Sequence, residues 1–261
     1  MIGAGIDIGS RSIGFVLMDT DGTIIHQELM DSGYDPIGRA KSHVAGFDFD
    51  LMVATGYGRH AANAQFADHV ITEIKAYARG ARLASPDIRS ILDIGGQDTK
   101  AILLDKNGAV EEFYMNEKCA AGTGKFLEVM AVALGYTLDE FVESPFAAQG
   151  EPIRISSMCT VFAESEVVSL LHTGAERENV ARAVHESIAE RAAGMLKKTG
   201  VIQPAMFAGG GAKNRFLRKA LEKRLSLEFV VPPEPQLIGA MGAAWEANHL
   251  LKKRGERPCS Q

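Results

Sequence analysis

The sequence predicts an α/β fold built from two copies of one architectural unit. Residues 5–9 and residues 92–96 share one design, in which apolar strand residues surround an aspartate that precedes a glycine by two positions. Each segment is followed by a second strand, a short turn and a third strand. Stretches with helical periodicity follow each set of strands. This order indicates an internal duplication of architecture rather than of detailed sequence.

Alternating and β-branched residues define the first copy. Its strands are predicted over residues 4–8, 13–19, 23–29 and 50–54. The dipeptide Asp21-Gly22 marks a hairpin turn between the second and third strands. Its helices are predicted over residues 35–43 and 70–83.

The second copy repeats the three strands and adds more helices. Its strands are predicted over residues 90–94, 100–104, 110–115, 205–208 and 228–231, with a turn at residues 106–108. Its helices are predicted over residues 123–134, 161–172, 179–198 and 214–224. A last helix is predicted over residues 237–253.

Composition excludes several classes of protein. The chain has 261 residues, 46% hydrophobic and 23% charged, which suffices for a packed core and argues against disorder. No apolar run reaches the ~18 residues of a membrane span, and the first residues do not resemble a signal peptide. Three cysteines do not make a disulfide framework. A net charge of −5 without a dense basic block argues against nucleic-acid binding, so we expect a cytoplasmic protein with neither a nucleic-acid nor a membrane partner.

The two aspartate-glycine motifs are candidate phosphate-binding loops. A glycine at the end of a strand permits close approach of a ligand, and the following N–H groups and hydroxyls can face phosphate oxygens. Asp7 and Asp93 are expected at the strand ends, where a carboxylate binds Mg²⁺ directly or through water. Ser10 and Ser12 add hydroxyls, and residues 209–211 form a third glycine cluster. One such motif alone more often marks a tight hairpin turn, but the repetition and the third cluster favour phosphate binding.

Two of the three cysteines directly precede predicted helices. A thiolate at the start of a helix is stabilised by the helix dipole, and the same position suits an iron–sulfur cluster. A [4Fe–4S] cluster takes four cysteines, so Cys119 and Cys159 supply half, and a symmetric dimer would supply all four. A zinc ion shared by two chains would use the same thiolates, and two buried structural cysteines are a further alternative. Cys259 lies in a polar tail and is expected to be incidental.

The glycine motifs resemble those of the acetate and sugar kinase, Hsp70 and actin superfamily. Its first phosphate motif, second phosphate motif, adenosine motif and second connecting segment are matched by residues 5–17, 92–100, 207–213 and 238–244. The resemblance implies a duplicated ribonuclease-H-like fold of the actin/Hsp70 type, with mixed sheets and two subdomains around an ATP cleft. One subdomain would comprise residues 1–86 and 238–261, and the other residues 87–237.

The cysteine segments resemble a narrower family. Residues 118–124, Lys-Cys-Ala-Ala-Gly-Thr-Gly, and residues 159–166, Cys-Thr-Val-Phe-Ala-Glu-Ser-Glu, are similar to the activators of 2-hydroxyacyl-CoA dehydratases. They are also similar to the related ATPase subunits of benzoyl-CoA reductase. Residues 56–59, 72–74 and 95–100 fit the same pattern, so the resemblance covers nearly the whole chain.

This resemblance implies an ATPase that drives electron transfer. Members of the family are dimers with one bridging [4Fe–4S] cluster, and they take one electron from ferredoxin or flavodoxin. ATP binding and hydrolysis change the angle between the cluster-bearing helices, and the electron passes at low potential to an iron–sulfur dehydratase or reductase. Carried over to a homodimer, Cys119 and Cys159 are the cluster ligands and Asp7 holds Mg²⁺.

The resemblance also implies roles for the loop residues. The phosphates of ATP or ADP would be lined by Gly9, Ser10, Arg11 and Ser12. The γ-phosphate and the attacking water would be surrounded by Asp93, Gly95, Gly96, Gln97 and Asp98. The adenosine end would be formed by Gly209, Gly210, Lys213 and Gln236. The family usually has a small hydroxyl residue where Arg11 stands and a lysine near Gly14, so Arg11 either supplies that charge or faces solvent.

Two rival functions belong to the same superfamily. A small-molecule kinase would need a sugar or carboxylic-acid pocket and no cluster, and a protein-binding nucleotide switch would need no redox chemistry. The length of the chain leaves little room for a substrate domain, which favours the activator. Its partner stays open among a 2-hydroxyacyl-CoA dehydratase, a benzoyl-CoA-type reductase and a double-cubane cluster protein, and the loop motifs fit the homodimeric dehydratase type slightly better.

Overall fold

A computed structural model describes residues 1–116, 122–157 and 159–255, which fold into two compact units. The first unit contains Met1–Ile88, Leu104–Val110 and Gln236–Gln261, and the second contains Arg89–Leu103 and Glu111–Pro235. Each unit is built on a five-stranded sheet. Among the described helices, none is both long and apolar enough to cross a bilayer.

Strands and helices alternate along the chain. The strands are β1 (Ile2–Ile8), β2 (Ser12–Asp19), β3 (Ile24–Asp31), β4 (Leu51–Thr55), β5 (His69–Val70), β6 (Ser90–Ile94), β7 (Thr99–Leu104), β8 (Val110–Asn116), β9 (Ala205–Ala208) and β10 (Phe229–Val230). The helices are α1 (Pro36–Val44), α2 (Arg59–Gln65), α3 (Glu73–Ala84), α4 (Gly124–Ala133), α5 (Leu138–Glu143), α6 (Thr160–His172), α7 (Arg177–Thr199), α8 (Arg215–Leu225) and α9 (Ile238–Gly255). Short 3₁₀ turns cover Ser144–Ala147 and Gly210–Lys213.

The two sheets have the same topology. In the first unit the strand order is β3-β2-β1-β4-β5, with β1 antiparallel to β2 and parallel to β4. In the second unit the order is β8-β7-β6-β9-β10, with β6 antiparallel to β7 and parallel to β9. The predicted duplication of architecture is therefore confirmed.

Helices cover both faces of the sheet in the first unit. On one face, α1 packs over a core that includes Phe15 and Leu17 of β2. On the other face, α9 lies so close that a Cβ on Gly5 of β1 would clash with the backbone of Ala240 and Ala244. A Cβ on Gly80 of α3 would likewise clash with the carbonyl of Ile238, so glycine is what allows α3 and α9 to interlock.

The second unit has one large core. It forms between the sheet and helices α4, α6, α7 and α8, and Phe126, Ile188 and Phe207 are completely buried in it. Because α4 and α6 contribute to this core, both helices are anchored to the body of the unit.

The structure differs from the sequence prediction at three short elements. We did not predict α2, β5 or α5. Helix α2 has Gly58 before its first residue and only Ala62 buried, so it lacks an apolar periodic face. The helix predicted over residues 70–83 begins at Glu73, because Val70 belongs to β5 and Thr72 is the N-cap of α3.

Candidate functional site

The first candidate phosphate loop joins β1 to β2. It is closed by the Gly9 amide, which donates to the Ser12 carbonyl at 3.0 Å. The buried Ser32 supports it from behind, because its hydroxyl donates to the Gly9 carbonyl at 2.8 Å and its amide donates to the Arg11 carbonyl at 3.0 Å. Ser10 is half-buried in this loop. The Arg11 side chain is exposed.

Asp7 lies half-buried at the end of β1, between two glycines. A Cβ on either Gly56 or Gly239 would clash with the Asp7 carboxylate. The lack of a side chain at these two glycines therefore leaves room for the carboxylate. Gly56 also has φ of 83°, a left-handed conformation that other residues adopt at a cost.

Gln236 belongs to the first unit, next to the loop after β1. Its side-chain amide donates to the Ser12 hydroxyl at 3.4 Å. The structure thus brings Gln236 together with the first phosphate loop, whereas the sequence grouped it with the adenosine motif.

The second candidate loop joins β6 to β7 and contains a buried ion-pair network. Asp93, Asp98 and Lys100 are 0%, 4% and 2% exposed. The Lys100 ammonium lies 3.1 Å from Asp93 Oδ2 and 2.7 Å from Asp98 Oδ2. Two carboxylates share one ammonium, so the formal charges of these three side chains sum to one net negative charge.

The tip of the second loop is tied to helix α4. The Gly95 amide donates to the Asp98 carbonyl at 2.9 Å, which closes the turn and leaves the Gln97 side chain exposed. The carbonyls of Gly95 and Gly96 accept hydrogen bonds of 2.8 and 2.9 Å from the first two amides of α4, at Gly124 and Lys125. Helix α4 therefore uses these two amides to hold the loop.

The third glycine cluster follows β9 and lies beside Asp93. A Cβ on Gly209 would clash with Asp93 Oδ1, and Gly209 has φ of 77°. Gly210 and Lys213 are exposed on the 3₁₀ turn that follows.

The two units therefore repeat the same aspartate environment. Gly56 lies beside Asp7, in the turn after β4, which is parallel to β1. Gly209 lies beside Asp93, in the turn after β9, which is parallel to β6. The residue opposite the aspartate differs, because Gly14 pairs with Asp7 whereas Lys100 pairs with Asp93.

Cys159 is exposed and is the N-cap of α6. The loop before it is held by Glu166, whose Oε1 accepts from the Ser156 amide at 2.9 Å and whose Oε2 accepts from the Ser157 amide at 2.9 Å. Burial acts to raise the pKa of Glu166, but the hydrogen bonds from Ser156 and Ser157 together outweigh burial and lower the pKa below its ordinary value. Glu166 is therefore a carboxylate acceptor at neutral pH.

Arg191 of α7 braces the same loop. Its Nη2 donates to the Ser157 carbonyl at 2.7 Å, and its guanidinium carbon lies 5.9 Å from the centre of the Phe126 ring on α4. Arg191 thus contacts both the segment that leads to Cys159 and the helix that follows the other cysteine segment. Cys119 and Cys259 lie outside the described residues.

Sequence reasoning missed Lys100, Glu166, Arg191 and Ser32 as site residues. Lys100 and Glu166 stood inside the motifs that carried the resemblance, but their partners become evident only once strand register and helix positions are known. Nothing in the sequence pattern marks Ser32 or Arg191.

The donor groups fit the predicted cofactors. The Asp7 carboxylate, in a space that a Cβ would fill, is a hard oxygen ligand of the kind that Mg²⁺ prefers. The exposed Cys159 thiol is a soft ligand of the kind that iron–sulfur clusters and zinc take.

A duplicated fold with an aspartate at the end of the first strand of each sheet defines an ATPase of the ribonuclease-H-like class. The family model of the BadF/BadG/BcrA/BcrD ATPases matches residues 4–247, and the chain belongs to this family.

Curated relatives match the chain over almost its whole length. The chain is 43% identical over 258 residues to the activator of lactoyl-CoA dehydratase from Anaerotignum propionicum, covering 96% of this chain and 98% of that protein. It is 32% identical over 282 residues to one of the subunits of benzoyl-CoA reductase from Thauera aromatica, covering 100% and 99% of the two chains.

Solved structures show the same fold. The activator of the 2-hydroxyisocaproyl-CoA dehydratase from Clostridium difficile, solved with bound ADPNP, matches all of both chains with a TM-score of 0.87 and 36% identity. A ROK family glucokinase from Streptomyces griseus matches with a TM-score of 0.60 and 13% identity over 95% of this chain and 100% of that one, which shows a shared fold alone. The predicted family and fold class are confirmed.

Proposed function

We propose that this chain is the ATP-hydrolysing activator of a 2-hydroxyacyl-CoA dehydratase. It binds ATP or ADP with Mg²⁺, carries a [4Fe–4S] cluster shared by two copies of the chain, and passes an electron from ferredoxin or flavodoxin to an iron–sulfur partner. The observation that carries the proposal is the exposed Cys159 thiol at the start of α6, in a chain 43% identical to a dehydratase activator. A kinase of the same fold has no need of such a thiol.

The nucleotide half of the proposal uses the two repeated aspartates differently. Asp7 holds Mg²⁺ directly or through water, and the loop from Gly9 to Ser12 lines the phosphates. Asp93 and Asp98 flank the Lys100 ammonium, and carboxylate oxygens at this loop suit orienting the water that attacks the γ-phosphate. Gln97, exposed at the tip of the same loop, would contact that water.

The cluster half of the proposal requires a second copy of the chain. Cys119 and Cys159 supply two thiolates per chain, so two chains complete the four that a [4Fe–4S] cluster takes, and the cluster supplies a one-electron carrier. Val161 and Phe162, two and three positions after Cys159, are 66% and 67% exposed. An apolar pair beside the thiol supports a homodimer interface at this end of α6.

The contacts of α4 support a link between the nucleotide loops and the cluster. The carbonyls of Gly95 and Gly96 hold the first amides of α4, and the Thr99 hydroxyl donates to the Gly122 carbonyl at 2.9 Å. A change in the second loop on loss of the γ-phosphate would therefore act on Gly122 and on the first turn of α4.

The test is anaerobic purification with iron, sulfide and mass measurements. We expect a brown dimer with four irons per two chains, and ATP hydrolysis that supports a purified 2-hydroxyacyl-CoA dehydratase given reduced ferredoxin. Cys159→Ser should remove the iron and abolish the activation of the dehydratase. It should leave ATP binding intact, because Cys159 lies outside the nucleotide loops. The matched control Cys259→Ser should keep both the iron and the activation.

Other results would assign another function. An iron-free monomer that phosphorylates a sugar or a carboxylic acid would overturn the proposal in favour of the kinase. Support of a benzoyl-CoA-type reductase, but not of a dehydratase, would replace the partner and keep the ATPase, as the likeness to the benzoyl-CoA reductase component allows.

A further inference from the structure

Three metal-ligating side chains converge in the first unit at a place that the proposed function does not use. His26 and Glu28 belong to β3, and His43 lies in the last turn of α1. One ligand atom from each lies within 4.8 Å of the other two.

The strand register explains why these residues meet. Leu17 stands opposite His26 and Phe15 stands opposite Glu28 across the β2–β3 pair. Phe15 and Leu17 belong to the core that α1 covers, so His26 and Glu28 lie on the same face of the sheet as α1. His43 reaches them from the end of that helix.

The two imidazole nitrogens face one carboxylate oxygen without hydrogen bonding to it. His26 Nε2 lies 3.5 Å and His43 Nε2 lies 3.4 Å from Glu28 Oε2. Both Nε2 atoms are buried and, in the part of the chain that the structure describes, neither has a hydrogen-bond partner. Hydrogen bonds between such groups are about 2.7–3.2 Å long. Two ligands about 2.0–2.1 Å from a tetrahedral ion are about 3.3 Å apart, which matches the two distances from the imidazoles to Glu28 Oε2.

Aromatic side chains hold both imidazoles in place. The Phe47 ring centre lies 4.7 Å from that of His26 and 5.2 Å from that of His43, and Phe15 packs edge-on against His43 at 5.5 Å. The ligand rings are therefore oriented before any ion binds, which lowers the cost of binding.

We propose that His26 Nε2, His43 Nε2 and Glu28 Oε2 bind a divalent transition-metal ion of the Zn²⁺ class. Two imidazoles and one carboxylate suit zinc, cobalt or nickel rather than Mg²⁺, so the site is chemically separate from a nucleotide-bound cation. Glu28 is 44% exposed in its side chain, so solvent completes the coordination. The bound ion links the edge strand β3 to α1.

Zinc content of the purified holoprotein tests this site. The protein is dialysed against chelator, given Zn²⁺, passed through a desalting column and measured for zinc per chain by mass spectrometry. We expect Glu28→Gln and His43→Gln each to lose one zinc per chain relative to the wild type. The control His60→Gln, an exposed histidine of α2 in the same unit, should keep it.

Thermal melting supplies a second readout. Added Zn²⁺ should raise the melting temperature of the wild type and of His60→Gln, but not that of Glu28→Gln, because an ion that binds only the folded state stabilises it. Glu28 is partly exposed, so we expect Glu28→Gln to fold even where His43→Gln does not, and it then tests the zinc site alone. Equal zinc content and equal shifts in all four proteins would overturn the proposal, whatever the outcome for the iron content.

Discussion

Lys100 lies almost completely buried on β7, with its ammonium between the carboxylates of Asp93 and Asp98. Removing one partner from a buried ionic network leaves charge in a low-dielectric environment without compensation. The free energy of unfolding therefore depends on this single amine more than on any exposed ion pair of the unit.

We expect Lys100→Met to lower the free energy of unfolding by about 3–5 kcal/mol, because two buried carboxylates lose their shared cation. Urea unfolding at pH 7 measures the change. Lys106→Met, at an exposed position in the turn after β7, should change stability by less than about 0.5 kcal/mol. Equal unfolding midpoints for the two variants would contradict the role given to Lys100.

The residue scale also shows where sequence reasoning stops. Asp7 and Asp93 could be placed at strand ends because a glycine follows each by two positions. The partners of Asp93 could not be predicted, because all six residues of β7 are buried. The strand therefore has no alternation of buried and exposed positions that would mark Lys100 as facing the aspartates. Buried charge is identified by contacts rather than by spacing.

At the scale of single elements, α6 combines an exposed thiol with a carboxylate that fixes the loop before it. Glu166 lies two helical turns after Cys159 and accepts the amides of Ser156 and Ser157. Each such charge-assisted bond contributes about 1.5–3 kcal/mol when buried, and less at this partly exposed position.

We expect Glu166→Gln to speed hydrogen exchange of the Ser156 and Ser157 amides by at least about fivefold, which corresponds to about 1 kcal/mol. Under the proposed function, the same variant should retain iron less well during gel filtration, because Ser156 and Ser157 are no longer fixed. Glu164→Gln, at an exposed position of the same helix, is the matched control and should exchange like the wild type. Unchanged exchange in Glu166→Gln would show that the loop is fixed by other contacts.

Element prediction succeeded where an apolar face was long and failed where a helix was short. Helix α7 has eleven buried residues over 23, and its periodicity was evident. Helix α5 has six residues with only Phe141 buried, yet its capping box of Thr137 and Glu140 was readable as a start signal. Local capping chemistry would have found α5, whereas nothing comparable marks α2.

At the scale of the whole molecule, one buried histidine couples stability to pH. His185 of α7 is fully buried, with ring centres 4.6 Å from Phe141 of α5 and 5.6 Å from Phe216 of α8. Burial lowers the pKa of His185 to about 4, although its Nδ1 lies 2.8 Å from the Ala181 carbonyl.

The direction of the pH effect follows from this pKa. The unfolded chain, with a histidine pKa of about 6.5, binds the proton first, so stability is complete above pH 6.5 and is lost as the pH falls towards 4. We expect His185 to account for about 3 kcal/mol of lost stability over this interval. His185→Phe should flatten the dependence, as measured by urea unfolding between pH 4 and 7, and the exposed control His172→Gln should not. Parallel curves for the wild type and His185→Phe would exclude His185 as the cause.

The duplication is the part of the molecule that the sequence predicted best. Two aspartate-glycine motifs and two sets of three strands were enough to predict a duplicated architecture, and the two sheets have the same strand order. The divergence between the copies needed the register, because only the pairing of Asp7 with Gly14 and of Asp93 with Lys100 shows that one aspartate has an internal cation opposite it. The pattern of hydrophobic residues predicts the strands, whereas the chemistry of each loop depends on which residues the strand register places opposite each other.

The packing of α9 against the first sheet has a consequence for synthesis on the ribosome. Asn248 of α9 donates to the Met18 carbonyl of β2, 230 positions earlier in the chain. All of the second unit is translated before α9, so its core can assemble while the grooves around Gly5 and Gly80 still face water. Synthesis of the first unit therefore starts before that of the second unit and ends after it. Until α9 emerges from the ribosome, the face of the first sheet that α9 covers is exposed to water.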